Sequence, residues 1–148
     1  MIYFAHYITI IAKMEVVIYN NNVKYCNAGG ASVPALNLRE VNLELGRPSA
    51  DAAIKRLTFE IHTSRRLGAS VLKIIHGYGS SGAGGRIRVE ARAYLERLAR
   101  RGEIKGYIEG ERFSIFDEET RLAFRNCDAL RCDRDLDRHN NGVTFILL

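Results

Sequence analysis

The chain has 148 residues, 47% of them hydrophobic with seven Tyr and six Phe, which suits one domain with a filled core. Lysine and arginine number 22 against 17 aspartate and glutamate, and the net charge of +5 tilts partners toward nucleic acid or another polyanion. Cys26, Cys127 and Cys132 are too few and too scattered for a disulfide scaffold, so a reducing, cytoplasmic compartment is expected.

The first segment, Met1 to Ala12, is apolar, yet it has no basic region ahead of it, carries His6 and stops at Lys13. That is short of the roughly 20 residues a membrane-spanning helix needs, so no membrane partner is expected. Ile2 to Ile11 and Val16 to Tyr19 read as strands, Asn20-Asn21-Asn22 as a turn, and Met14 as an alternative natural start. From Cys26 to Pro34 the residues turn small and loose. The expected organisation is an N-terminal extension and linker over residues 1–35 and one α/β domain over residues 36–148.

Within that domain Leu43-Glu44-Leu45 reads as a short strand. Ser49 is placed to cap a helix whose Ala50, Ala53, Ile54, Leu57 and Ile61 share one face and which Gly68 ends. Val71 to Ile75 is a strand. A second helix follows a glycine loop, with Ile87, Ala91, Tyr94, Leu95 and Leu98 on one face and Gly102 as its stop. Ile104 to Ile108 and Phe113 to Phe116 read as extended pieces. Asp117 caps a helix reaching about Asn126 with Leu122 and Phe124 inward, and Asn140-Asn141-Gly142 feeds a last strand, Val143 to Leu147. The order is βαβα with further strands, which predicts an α/β fold, a two-layer sandwich.

The chemistry concentrates between Val71 and Arg88, which reads strand, glycine-rich loop, basic helix. Gly77, Gly79, Gly82, Gly84 and Gly85 let backbone N–H groups approach an anion, and the following helix aims its positive end at the same point. His76 before the first glycine pairs with phosphate when protonated and serves as a base when neutral, or it simply hydrogen-bonds the loop backbone. Tyr78 suits stacking on an unpaired base or packing back on the helix, and Ser80 and Ser81 can donate to phosphate or serve as plain turn residues. Arg86 and Arg88, in the first helical turn, are the leading phosphate ligands. Arg92, Arg97, Arg100 and Arg101 read as a solvated face partly paired with Glu96 and Glu103, and Lys55, Arg56, Arg65 and Arg66 on the first helix either extend the basic patch or, the preferred reading, form a plain solvated face.

The run Ile74-Ile75-His76-Gly77-Tyr78-Gly79, with its glycine loop and basic helix, resembles the HGxG segment of the small MutS-related (Smr) domain. Leu43-Glu44-Leu45-Gly46-Arg47 stands where that family often has LDLHG, and the closing strand after Gly142 is also similar, so the resemblance covers about residues 41 to 148. It implies binding of DNA or RNA through Gly77, Tyr78, Gly79, Ser80, Ser81, Gly82, Gly84, Arg86 and Arg88. It also implies endonuclease activity, with His76 as the catalytic residue, alone or with Glu44 or another acid, and Mg or Mn as the metal of such a nuclease. The chain departs from the family at Gly46, where the upstream histidine is missing, and Glu44 is one methylene longer than the expected Asp.

Two other classes compete. Gly77-Tyr78-Gly79-Ser80-Ser81-Gly82 is a formal G-x-G-x-x-G, as in dinucleotide-binding enzymes, with Glu103 about 20 residues on, but Glu103 precedes its strand instead of closing it. A protein-interaction module would use the arginine patch for an acidic partner. Cys127, Cys132 and His139 lack zinc spacing and a fourth ligand. Asp133, Asp135 and Asp137 lack the glycine and glutamate of a calcium loop, so no metal site is expected and an exposed, internally paired Asp/Arg loop is.

Overall fold

A computed structural model describes residues 15–19, 22–26, 37–79 and 85–148, with side chains described for 37–79 and 85–148. The chain divides into two units, Met1–Pro34 and Ala35–Leu148. In the first, β1 (Glu15–Tyr19) and β2 (Asn22–Cys26) pair antiparallel with Val17 opposite Lys24. Asn22 is thus the first residue of β2. The strand expected over Ile2 to Ile11 lies outside the described residues.

The second unit is mixed α/β. It runs β3 (Leu38–Asn42), α1 (Ala50–Arg66), β4 (Val71–Ile75), α2 (Arg86–Arg100), β5 (Gly106–Glu109), α3 (Glu118–Asn126), a 3-10 turn (Asp128–Cys132) and β6 (Val143–Leu147). The sheet order is β3-β4-β6-β5, with β3 parallel to β4 and β6 antiparallel to both of its neighbours. β6 therefore separates β4 from β5. The adjacent parallel strands that a β4-α2-β5 dinucleotide unit requires are not formed.

The alternation of side chains across the strands sends Val41, Leu72, Ile74 and Ile146 to one face, where they meet Leu57 and Ile61 of α1 and Ala91, Leu95 and Leu98 of α2. Each fully buried Leu or Ile contributes about 2 kcal/mol through removal of apolar surface from water. The expected capping is present: Ser49 Oγ accepts from Ala52 N at 3.2 Å, and Gly68 and Gly102 follow their helices at φ +75° and +69°. A polar tie adds register, since Arg39 of β3 reaches Glu60 at 2.7 Å and Ser64 at 3.1 Å on α1.

The expected α/β layering gains a cover on its second face. Phe113 stacks on Phe145 of β6 with centroids 4.0 Å apart and meets Phe124 of α3 edge-on, while Leu130 of the 3-10 turn is fully buried. Lys73 rises from β4 into this second layer. Its ammonium, completely buried, contacts Asp133 at 2.7 Å, Asp135 at 2.6 Å and Glu40 at 3.3 Å. The Asp/Arg segment is thus internally paired, but two of its aspartates belong to a buried ionic cluster in place of an exposed loop.

Four local expectations are corrected. The strand before α1 is Leu38–Asn42, because Asn42 Oδ1 accepts from Glu44 N at 2.8 Å and turns the chain out of the ladder after Leu43. Phe113 to Phe116 form turns: Asp137 Oδ1 accepts from Ser114 Oγ and from Ile115 N, so no partner strand is engaged. Leu122 is exposed, and the inward face of α3 is Thr120, Ala123 and Phe124. β5 begins at Gly106, two residues later than expected, after Glu103 N and Lys105 N have bonded Leu98 and Leu147 carbonyls.

Candidate functional site

The parallel pairing of β3 and β4 brings their C-terminal ends to one edge, and the segments leading into α1 and α2 both start there. The sequence places a turn at each exit. After β3, Leu43 is held by its N–H to the Ile75 carbonyl at 2.8 Å, and the chain reverses at Gly46 (φ +84°) and Arg47 (φ +49°). After β4 come His76, Gly77, Tyr78 and Gly79. The starts of α1 and α2 are neighbours, with Asp51 and Glu90 on the walls of one groove.

His76 is 1% exposed and lies inside this edge. Its Nδ1 is 3.2 Å from the Gly77 carbonyl and its Nε2 is 2.9 Å from Thr144 Oγ1. A carbonyl only accepts, which assigns the proton to Nδ1 and makes Thr144 the donor to Nε2. Burial, together with the positive charges of Arg92 and Arg88 and against the Gly77 hydrogen bond, lowers the pKa to about 4. The ring is neutral at pH 7, and both of its nitrogens are engaged.

Gly77 stands at φ +64°, and its Cα faces the Glu44 carboxylate so closely that a Cβ would collide with it. The structure thereby brings Glu44 beside the His76–Gly77 peptide. The N–H groups of His76 and Gly77 both donate to the Gly142 carbonyl at 3.0 Å. These two amides are spent on the sheet and do not face an anion.

Tyr78 is half exposed, its hydroxyl donating to Asn140 Oδ1 at 2.6 Å and its ring carbons lying over Gly142, where a Cβ would sit 3.4 Å away. One side of the ring packs on the Asn140–Gly142 turn, and the exposed remainder leaves area for a stacking partner. Gly79 and Gly85 touch: a Cβ on Gly85 would lie 3.0 Å from Gly79 Cα. The two ends of the loop are therefore pinched together, and Ser80, Ser81, Gly82 and Gly84 lie outside the described residues.

Helix α2 opens at Gly85 with no side-chain cap, no acid in its first turn, and Arg86 and Arg88 in that turn. Cations at a helix N-terminus oppose the dipole, and uncapped N–H groups leave donors free. The structure separates the two arginines. The Arg86 side chain is 82% exposed and bonds Glu90 at 2.9 Å, and that hydrogen bond with Glu90's charge raises its pKa. Arg88 is mostly covered, 3.5 Å from Glu111. Arg92, expected on a solvated face, is likewise drawn in: it donates to Glu111 and lies 3.5 Å from Glu109. Burial pushes the Glu111 carboxylate up, but hydrogen bonds from Arg92 and the charges of Arg92 and Arg88 hold it below the usual range.

Residues missed by the sequence reading share a cause. Thr144, Glu111 and Asn140 reach the site from segments distant in the chain: the β4–β6 register brings Thr144 and Asn140 to the end of β4, and Glu111, just past β5, meets Arg88 and Arg92 of α2. Cys127 is buried, its thiol pushed up to about 11 by that burial; Cys132 is exposed, and His139 Nδ1 lies 2.8 Å from the Glu111 carbonyl. Among the described residues no three His, Cys, Asp or Glu side chains converge on a metal position, and no helix is long and apolar enough to cross a membrane. Comparison with protein-family models, with curated proteins and with solved structures returns no match.

Proposed function

We propose that this chain is a cytoplasmic nucleic-acid-binding protein with a Smr-like α/β sandwich domain, contacting a DNA or RNA backbone at the edge where β3 and β4 end. The observation that carries this reading is the uncapped, acid-free first turn of α2, with Arg86 exposed beside it and the half-exposed Tyr78 ring across the pinched loop. Phosphate completes the cap that the helix lacks, and Tyr78 offers a face to an unpaired base.

Binding is favoured over cutting by the same geometry. His76 is neutral, buried and bonded at both ring nitrogens, so it braces the loop through Thr144 and Gly77. Glu44 lies against Gly77, and Mg or Mn chemistry would have to draw on it without the upstream histidine that Gly46 replaces. A nucleotide-binding enzyme is disfavoured by the interposed strand β6.

The test is a titration against single-stranded RNA, single-stranded DNA, duplex DNA and branched DNA at two salt concentrations. Affinity is expected to fall steeply with salt and to fall again in Arg86→Ala/Arg88→Ala and in Tyr78→Ala. Saturable binding of a nucleotide with weak salt dependence would support the enzyme reading instead. Cleavage of supercoiled plasmid or RNA with Mg²⁺ or Mn²⁺, lost in His76→Ala, would reverse the preference for binding over cutting.

A further inference from the structure

The outer surface of α1 carries a pattern that neither core packing nor the loop accounts for. Lys55, Phe59, His62 and Arg66 are all exposed and fall at i, i+4, i+7 and i+11. At 3.6 residues per turn they occupy an arc of about 60° and a track of about 16 Å along the helix. Phe59 is 66% exposed, with a cation one turn before it and an imidazole one turn after it. Among the described residues no side chain covers the Phe59 ring, while the opposite face of the helix fills the core.

The neighbouring helix extends the charge. Lys55 and Ile54 face Ala93 and Arg97 of α2 across a groove of about 460 Å³, with Asp51 and Glu90 also on its walls and Glu90 already bonded to Arg86. Farther along, the Arg97 guanidinium lies 5.6 Å from the Tyr94 ring centroid. Among the described residues Lys55, Arg66 and Arg97 form no ion pair, in contrast to Arg86, Arg100 and Arg101 on the same layer. Because the starts of α1 and α2 are neighbours, this groove begins beside the loop edge and leads away from it.

We propose that the Lys55–Phe59–His62–Arg66 stripe, with Arg97 across the seam, is a second binding site that takes single-stranded polynucleotide, Phe59 stacking on a base and Lys55, Arg66 and Arg97 contacting phosphates. Cations interleaved with an exposed ring match a strand that presents phosphates and unpaired bases in alternation, whereas a duplex hides the base faces that Phe59 would meet. The site deepens the nucleic-acid reading and rests on it: a strand anchored at Tyr78 and Arg86 continues along α1.

The test is fluorescence anisotropy with a labelled single strand of about 20 bases, longer than one binding module usually covers. Phe59→Ala is expected to weaken binding about tenfold, in the range seen for loss of one stacked base. Lys55→Ala/Arg66→Ala is expected to flatten the plot of log K against log salt by about 1.4 units. The chain has no tryptophan, so Phe59→Trp places one reporter in the stripe, and its fluorescence is expected to be quenched by the strand.

The stripe is overturned, with the loop reading intact, if both variants bind within twofold of the native chain while Tyr78→Ala/Arg86→Ala binds weakly. It is overturned too if duplex or polyglutamate displaces the strand as well as unlabelled strand does, or if Phe59→Ala converts a dimer to a monomer in light scattering, which would make the stripe a self-association face. If the native chain binds none of the nucleic acids, the loop reading falls and the stripe falls with it.

Discussion

The carboxylate of Glu44 fills the space that a side chain at Gly77 would need. Gly77 also stands at φ +64°, so an alanine there meets two separate costs, about 1–2 kcal/mol of backbone strain and a collision with Glu44. Gly77→Ala is expected to lower unfolding free energy by about 3 kcal/mol in urea titration, within the range of strained and overpacked sites. Adding Glu44→Gly should recover the collision part and leave the strain. Equal losses in the two backgrounds would show that Glu44 does not crowd the site.

His76 makes stability depend on pH. Its folded pKa of about 4 lies below the unfolded value near 6.5, so the unfolded chain binds the extra proton between these values. The contribution is complete above the unfolded pKa and is lost as pH falls toward the folded one. Between about pH 7 and pH 5 the native chain should lose about 2 kcal/mol from this group. In His76→Gln the same interval should be nearly flat, measured by urea unfolding at each pH.

Lys73 is buried among Asp133, Asp135 and Glu40, and removing only the cation strands the carboxylates. Lys73→Met is expected to destabilise by about 3–5 kcal/mol. Burial pushes the Asp135 carboxylate up, yet hydrogen bonds from Asn140 and Lys73 and the charges of Lys73 and Arg134 hold it below its usual value. A depressed folded pKa stabilises above the unfolded pKa, and that support vanishes in acid. The acid limb of the stability curve should therefore be steeper in the native chain than in Lys73→Met, a difference that thermal unfolding at graded pH would register.

Asn140 ties the segment after β4 to the Asp135 cluster. Its Oδ1 accepts from the Tyr78 hydroxyl at 2.6 Å and from Gly142 N at 2.9 Å, and its Nδ2 donates to Asp135 at 2.8 Å. Asn140→Ala removes three hydrogen bonds, an expected loss of about 2–3 kcal/mol at roughly 1 kcal/mol each. Tyr78→Phe removes one of them, with an expected loss near 1 kcal/mol. In oligonucleotide titrations Asn140→Ala should also weaken binding, because the ring of Tyr78 loses its anchor, whereas Tyr78→Phe should retain the stacking surface.

The helices were legible because their information is local. Ser49 and Asp117 as caps, Gly68 and Gly102 as stops, and the periodic apolar faces of α1 and α2 each act within a few residues. The strand Val71–Ile75 was legible for the same reason. Lys73 was opaque: within Val-Leu-Lys-Ile-Ile its stem fits a strand, and nothing nearby tells that Asp133 and Asp135 wait on the far layer. The engagement of His76 was equally hidden, since Thr144 meets it only through the register of β4 with β6. Leu122 and Phe124 could not be ranked by hydrophobicity, and the geometry set by the Asp117 cap decided which turned inward.

Strand β6 occupies an inner seat. β6 lies between β4 and β5, and the Gly142 carbonyl just ahead of it receives the amides of His76 and Gly77. The sheet cannot close until β6 is seated, because without it β4 and β5 each keep an open edge. Loosening of β6 would open the edges of β4 and β5 to pairing with other chains and take from the His76 and Gly77 amides the carbonyl they share. One strand thus both closes the sheet and fixes the start of the segment that leaves β4.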